Sequence, residues 1–129
     1  MPRLLLVDDD PSLAAIVRIL ARRAGHELAW AADARSATAE LARQRPDLVL
    51  LDINLPGQSG PEWLRGLGAD RPPVALFVQS ALADDIARGR EAGAEAHFAK
   101  ELVTDAAAWT RRLDELLSAA GRPATSPVS

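Results

Sequence analysis

Three carboxylates, one ammonium and one hydroxyl are the groups in this 129-residue chain whose types and spacing could do chemistry together: Asp8, Asp9, Asp52, Lys100 and Ser80. Three carboxylates at one site repel, and without compensation at least one pKa rises. A hard divalent cation resolves the repulsion. Mg2+ takes oxygen ligands in octahedral geometry and commonly keeps waters beside one or two carboxylates. Lys100 would add a positive charge and a donor, and Ser80 a hydroxyl. Together such groups suit a phosphoryl group, whose charge is spread over its equatorial oxygens. Singly, each has an ordinary structural reading. Asp9 and Asp10 favour a helix N-terminus, Asp52 a strand-end turn and Lys100 a solvated surface, while Ser80 alone signifies little.

What decides is position along the chain. Leu4–Val7 is an apolar run ending in acids. From Pro11 the period changes, with Leu13, Ile16, Val17 and Leu20 spaced as one helix face; Asp10 can cap this helix and Gly25 end it. His26–Ala31 is a weak strand. Asp33 can cap a second helix to about Gln44, with Ala34, Ala37 and Leu41 inward. Asp47–Ile53 is almost continuously apolar, as in a strand buried on both faces of a parallel sheet. Pro56–Gly60 reads as a loop. Ser59 and Glu62 have capping-box spacing for a third helix that ends near Gly66–Gly68. Val74–Gln79 is a fourth strand, Asp84–Ala92 a short helix and Ala96–Ala99 a fifth strand. A last helix from about Thr104 places Trp109, Leu113, Leu116 and Leu117 on one face.

Five β-then-α units predict an α/β domain over residues 1–120, doubly wound with helices on both faces. Residues 121–129 read as a flexible tail or linker. Asp8 and Asp9 then follow the first strand, Asp52 the third, Ser80 the fourth and Lys100 the fifth. Open α/β sheets bind ligands outside the carboxyl ends of their strands. The five residues meet there if the first and third strands are neighbours.

Composition narrows the function classes. A net charge of -3 and a pI near 5.3 argue against a basic nucleic-acid-binding surface. With no cysteine there is neither a disulfide framework nor a thiolate metal site. The N-terminal apolar run is too short for a secretory signal, and no stretch approaches a membrane span. The expectation is a cytoplasmic protein without membrane contact. No glycine-rich phosphate loop follows the first strand, which disfavours a nucleotide-binding domain.

The ordered set resembles the response-regulator receiver family, the CheY-like domains of two-component phosphorelays, over nearly the whole chain to about Leu117. Leu4–Pro11 resembles the first strand and acidic pair. Asp47–Gly60 resembles the phosphorylation segment, with Pro56 and Gly60 four and eight residues after Asp52. Ser80-Ala81 and Gly93–Lys100 resemble the hydroxyl-plus-small pair and the run to the lysine. The resemblance implies a flavodoxin-like (βα)5 three-layer sandwich with strand order 2-1-3-4-5. It implies that Asp52 takes a phosphoryl group from a histidine kinase or phosphotransfer protein. Asp8, Asp9, Asp52 and the Asn54 backbone carbonyl would hold Mg2+, Asp8 mainly through water. Ser80 and Lys100 would bind phosphoryl oxygens, and Asn54 and Leu82 sit where side chains modulate dephosphorylation. The face of the fourth helix, fifth strand and fifth helix would switch to bind an output partner or a second copy. Such a protein catalyses only its own phosphorylation and dephosphorylation.

Two departures qualify the resemblance. Glu101 follows Lys100 where the family usually has a proline, often in a cis peptide. A non-proline cis bond costs about 2.5–4 kcal/mol, so a trans bond and an altered loop are expected. His97 occupies the switch position, commonly tyrosine or phenylalanine; it either senses Ser80 through its imidazole charge or is a half-exposed surface residue. His26 reads as structural or solvated, and Trp30, Trp63 and Trp109 as packing residues, with Trp109 a contact residue only if exposed. Two other functions stay open. One is a degenerate receiver acting through phosphorylation-independent contacts. The other is an Mg2+-dependent phosphatase or phosphotransferase, which Asn54 disfavours because one such class carries a second aspartate there.

Overall fold

The computed structural model describes residues 2–79 and 81–120; Met1, Ser80 and residues 121–129, with the expected tail, lie outside the described residues. Five parallel strands form the main sheet: β1 Arg3–Val7, β2 Glu27–Ala31, β3 Leu48–Leu51, β4 Val74–Val78 and β5 Ala96–Ala99. Their spatial order is β2-β1-β3-β4-β5. The flavodoxin-like order inherited from the resemblance is therefore the observed one. β3 and β4 are buried at every residue because helices cover both faces. This is why they read as unbroken apolar runs rather than as alternation. β2, at one edge, is mostly half-exposed and carries a weaker signal.

The helices are α1 Pro11–Arg23, α2 Ala34–Arg43, α3 Gly60–Arg65, α4 Ala83–Glu91 and α5 Ala106–Ala120. Leu4, Leu6, Leu50 and Phe77 point to one face, where α1 and α5 supply Val17, Leu20, Trp109 and Leu113. Leu5, Val7, Val49, Leu51 and Leu76 point to the other, against Ala37 of α2 and Trp63 and Leu64 of α3. Burial of each large side chain contributes about 1.5–3 kcal/mol. The caps act as the sequence predicts. Asp10 accepts from the Ser12 and Leu13 amides, Asp33 from the Ser36 amide, and Ser59 and Glu62 bond reciprocally.

Three local expectations are corrected. Ile16 is 43% exposed, and the buried face of α1 is instead Ala14, Val17, Leu20 and Ala21. At ~100° per residue Ile16 falls at the margin of that face, where it meets solvent. The segment read as a loop contains a two-residue antiparallel ribbon, Asn54–Leu55 against Gln58–Ser59, turned at Gly57 with φ +78°. The last helix starts at Ala106, because a 3-10 turn over Lys100–Thr104 intervenes. The Lys100–Glu101 bond is trans, as are all peptide bonds among the described residues.

Gly60 ties the ribbon back to β3. Its amide donates to the Ile53 carbonyl at 2.7 Å, and a Cβ there would lie 2.1 Å from the Asp52 carbonyl oxygen. Gly89 of α4 is also tight, but against the end of a side chain, Leu76 Cδ1 at 2.2 Å. Gly60→Ala should cost at least the ~1–3 kcal/mol of core overpacking. Gly89→Ala should cost less, since Leu76 can move and alanine regains ~1 kcal/mol of helix propensity. Thermal unfolding of both variants checks this; an equal or larger loss for Gly89→Ala would contradict it.

Candidate functional site

The sheet places the acids by register. Val7 of β1 is paired with Leu51 of β3, and the ladder runs one residue further. The Asp8 amide donates to the Ala31 carbonyl and the Asp52 amide to the Val7 carbonyl, at 3.1 and 2.8 Å. Asp8 and Asp52 therefore stand side by side at the carboxyl edge. Val78 of β4 pairs with Ala99 of β5, so Lys100 emerges at the same edge. Trp30 Nε1 donates to the Asp8 carbonyl at 2.7 Å and fixes the turn out of β1.

Lys100 Nζ lies 3.1 Å from Asp8 Oδ2 and 3.1 Å from Asp52 Oδ1. It also sits 5.6 Å from the centroid of the Phe77 ring, within cation–π range. Burial lowers the lysine pKa, but the charges of Asp52 and Asp8 and their hydrogen bonds outweigh it, and the net shift is upward. Burial first, then the charge of Asp8, pushes the Asp52 pKa up against the opposing pull of Lys100 and the Asn54 amide. Both shifts say the same thing: two buried carboxylates share one ammonium, so the cluster lacks positive charge.

Asp8, Asp9 and Asp52 each offer a carboxylate oxygen, and these oxygens lie within 4.8 Å of one another. Asp8 is 1% exposed, and its Oδ2 has as partner the Lys100 ammonium, which it shares with Asp52. An all-oxygen donor set that shares one ammonium fits a hard divalent cation. The two buried acids are not equivalent. Asp8 Oδ1 accepts from the Asp10 amide at 2.9 Å, and Asp8 does not line the open cavity. Asp52 does line that cavity of about 330 Å3, with Asp9, Asn54, Gln79, Leu82, Asp85 and Lys100.

The structure thus brings together Asp8, Asp9, Asp52, Asn54 and Lys100. Ser80 lies outside the described residues, although its neighbours Val78 and Gln79 line the cavity. His97 is half-buried on β5 and does not line it. The His97 carbonyl accepts from Arg112 of α5 at 2.8 Å. Burial, then Arg112 and Arg90, lower the imidazole pKa. Sequence reasoning missed Phe77, which reads as one more core aromatic, and Asp85, which reads as an acid favouring a helix start. Trp109 is fully buried against Phe77 and Phe98 and offers no surface contact. No helix among the described residues is long and apolar enough to cross a membrane.

Comparison with known proteins agrees with this geometry. The DNA-binding response regulator MtrA of Mycolicibacterium smegmatis is 38% identical over 119 residues, 88% of this chain and 52% of the relative. The transcriptional regulatory protein PrrA of Mycobacterium tuberculosis is 38% identical over 128 residues, 97% of this chain and 54% of the relative. The chain thus spans about half the length of these curated relatives. The BeF3-activated N-terminal receiver domain of Klebsiella pneumoniae RstA superposes with a TM-score of 0.79 at 28% identity, covering 89% of this chain and 97% of that one. The family model for the response regulator receiver domain matches residues 4–108. An acid pair, a lysine and a third-strand aspartate at one edge of a β2-β1-β3-β4-β5 sheet, with this match over most of the chain, place the protein in the response regulator receiver domain family of two-component signalling.

Proposed function

We propose that Asp52 is the phosphoryl acceptor of a two-component phosphorelay, supplied by a histidine kinase or phosphotransfer protein. The observation that carries this is the unequal use of the two buried acids. Both acids pair with Lys100, but Asp8 accepts from the Asp10 amide and lies off the cavity, whereas Asp52 lines it. An Asp52 carboxylate oxygen attacks phosphorus, the new O–P bond forms as the N–P bond of phosphohistidine breaks, and the imidazole keeps the bonding pair. Lys100 moves from carboxylate to phosphoryl oxygens without leaving the edge of the sheet. The Ser80 hydroxyl takes another phosphoryl oxygen. Asp9, Asp52 and the Asn54 carbonyl would hold Mg2+, with Asp8 acting through water. The ion supplies charge neutralisation between acids and phosphoryl group.

The protein acts in the cytoplasm as a binding module whose α4–β5–α5 face changes on phosphorylation and meets an output partner or a second copy. Residues 1–120 form the receiver, and 121–129 a tail or a linker to further chain. MtrA is a DNA-binding regulator by name. With a net charge of -3, this segment would govern such an output without touching nucleic acid.

Incubation with Mg2+ and a small phosphodonor should add one phosphoryl group by intact mass, and Asp52→Asn should abolish it. No label under any Mg2+ condition would contradict the proposal and favour a receiver working through contacts alone. Turnover of an external phosphoester would favour an enzyme.

Stability gives an independent check. A raised acid pKa means that neutral Asp52 suits the fold, and this contribution is lost as pH rises through the folded-state value. Without metal at neutral pH, Asp52→Asn should therefore raise Tm by a few degrees, roughly 2–6 °C. The gain should shrink on acidification towards the ordinary aspartate range. Mg2+ should stabilise wild type and much less the variant. A lower Tm for Asp52→Asn at neutral pH would contradict the charge imbalance.

For His97, the lowered pKa means that acidification charges the unfolded chain first and disfavours the packed ring. Phosphorylation-dependent protection of β5 and α5 in hydrogen exchange should weaken for wild type towards about pH 5.5 and persist in His97→Tyr. Equal responses of the two proteins between about pH 5.5 and 8 would contradict a charge-dependent switch.

A further inference from the structure

The cavity over Asp52 has an acidic wall with no part in metal binding or phosphoryl acceptance as described above. Asp85, in the first turn of α4, lines it together with Asp9 and Asp52. Its side chain is only 22% exposed, whereas the neighbouring Asp84 is exposed. Its ion pair with Arg88 is long, 3.4 Å, and the arginine is itself more than half exposed. Arg88, donating across 3.4 Å from a solvent-exposed position, therefore offsets the Asp85 charge only in part. A helix-start role does not explain its placement, since Asp84 occupies the same turn and serves the helix dipole equally.

Lys100 is the one cationic residue lining the cavity among the described residues. With Asp8, which pairs with Lys100 without lining the cavity, the acids Asp8, Asp9, Asp52 and Asp85 against Lys100 leave three net negative charges. A divalent cation offsets two, and the surplus charge corresponds to Asp85. An incoming donor meets this surplus before phosphorus reaches Asp52.

We propose that Asp85 sets the phosphodonor specificity of the site, disfavouring fully ionised acyl phosphates relative to N–P donors whose nitrogen carries protons. The inference rests on Asp52 being the acceptor. In both transfers an Asp52 oxygen forms the O–P bond while the donor's bond breaks, its electron pair leaving with the donor group. Acetyl phosphate arrives as a dianion and departs as acetate. Phosphoramidate, protonated on nitrogen near neutral pH, arrives with one net negative charge and departs as neutral ammonia. The acyl route thus adds negative charge beside Asp85 on entry and on exit, and the N–P route adds less at both. Phosphohistidine belongs to the N–P class.

The test compares initial labelling rates of the full chain with Mg2+ and either acetyl phosphate or phosphoramidate, read by intact mass. Asp85→Asn should raise the acetyl phosphate rate about 2–5-fold, as expected for one charge removed several ångströms away in a largely aqueous cavity. The phosphoramidate rate should change less than about 2-fold, and the acetyl phosphate gain should fade with added salt. Asp85→Ser, a second neutral variant, should shift the ratio of rates likewise, and Asp84→Asn should leave it unchanged. An unchanged ratio in Asp85→Asn, or the same shift in Asp84→Asn, would overturn the selectivity while leaving Asp52 as acceptor. Failure of wild type to label with either donor would overturn the acceptor reading itself, and the selectivity with it.

Discussion

The ammonium of Lys100, held 3.1 Å from a carboxylate oxygen of Asp8 and 3.1 Å from one of Asp52, is the interaction on which the rest of the structure depends. It joins residues that follow β1, β3 and β5, separated by up to 92 positions in sequence. It can form only if β1 lies beside β3 and β4 carries β5 on its far side. Removing one partner from such a set leaves a buried charge uncompensated. The set is nevertheless unbalanced, with more acid than base. An arrangement that only stabilised the fold would match its charges. Burial and the charge of Asp8 both disfavour ionised Asp52, which a cation beside the acids would relieve. Perturbed acids of this kind cluster at functional sites.

The floor beneath the lysine is aromatic. Phe77 lies under Nζ and packs edge-on to Phe98 at 5.9 Å and Trp109 at 6.1 Å. Trp109 belongs to α5, so the ammonium and the last helix share one rigid cluster. The Trp109 indole N–H finds no acceptor among the described residues, a cost accepted where ring packing dominates. Opposite this floor, Gly60 lets the chain after β3 pass within van der Waals contact of the Asp52 carbonyl. Asp52 is thus bounded from below by packing and from the side by backbone, and it opens towards the cavity.

Much of this was legible in the sequence, for identifiable reasons. β3 and β4 are buried on both faces, so their apolar runs are long and unambiguous, whereas the edge strand β2 is half-exposed and gave only a weak signal. Caps at Asp10, Asp33 and Ser59 were readable because their side chains act on amides two or three residues away. Asp8, Asp9, Asp52 and Lys100 could be placed together because strand ends are fixed by the same apolar runs. What escaped was non-local or too short to be periodic. Ile16 satisfied the helical spacing, yet the buried face centres on Ala14, Val17 and Ala21 and leaves it at the margin. The ribbon around Gly57 and the 3-10 turn after Lys100 are too brief to impose a pattern. Asp85 and Phe77 acquire meaning only from what stands across the cavity or above the ring.

The central claim is that one particular carboxylate of the cluster accepts the phosphoryl group. Mapping the label by reductive trapping of the acyl phosphate, followed by peptide sequencing by mass spectrometry, tests it directly. Reduction should fall at Asp52 alone, with Asp8 and Asp9 unmodified, because only Asp52 combines burial beside Lys100 with a face on the cavity. Label at Asp8 or Asp9 in the wild-type protein would contradict it.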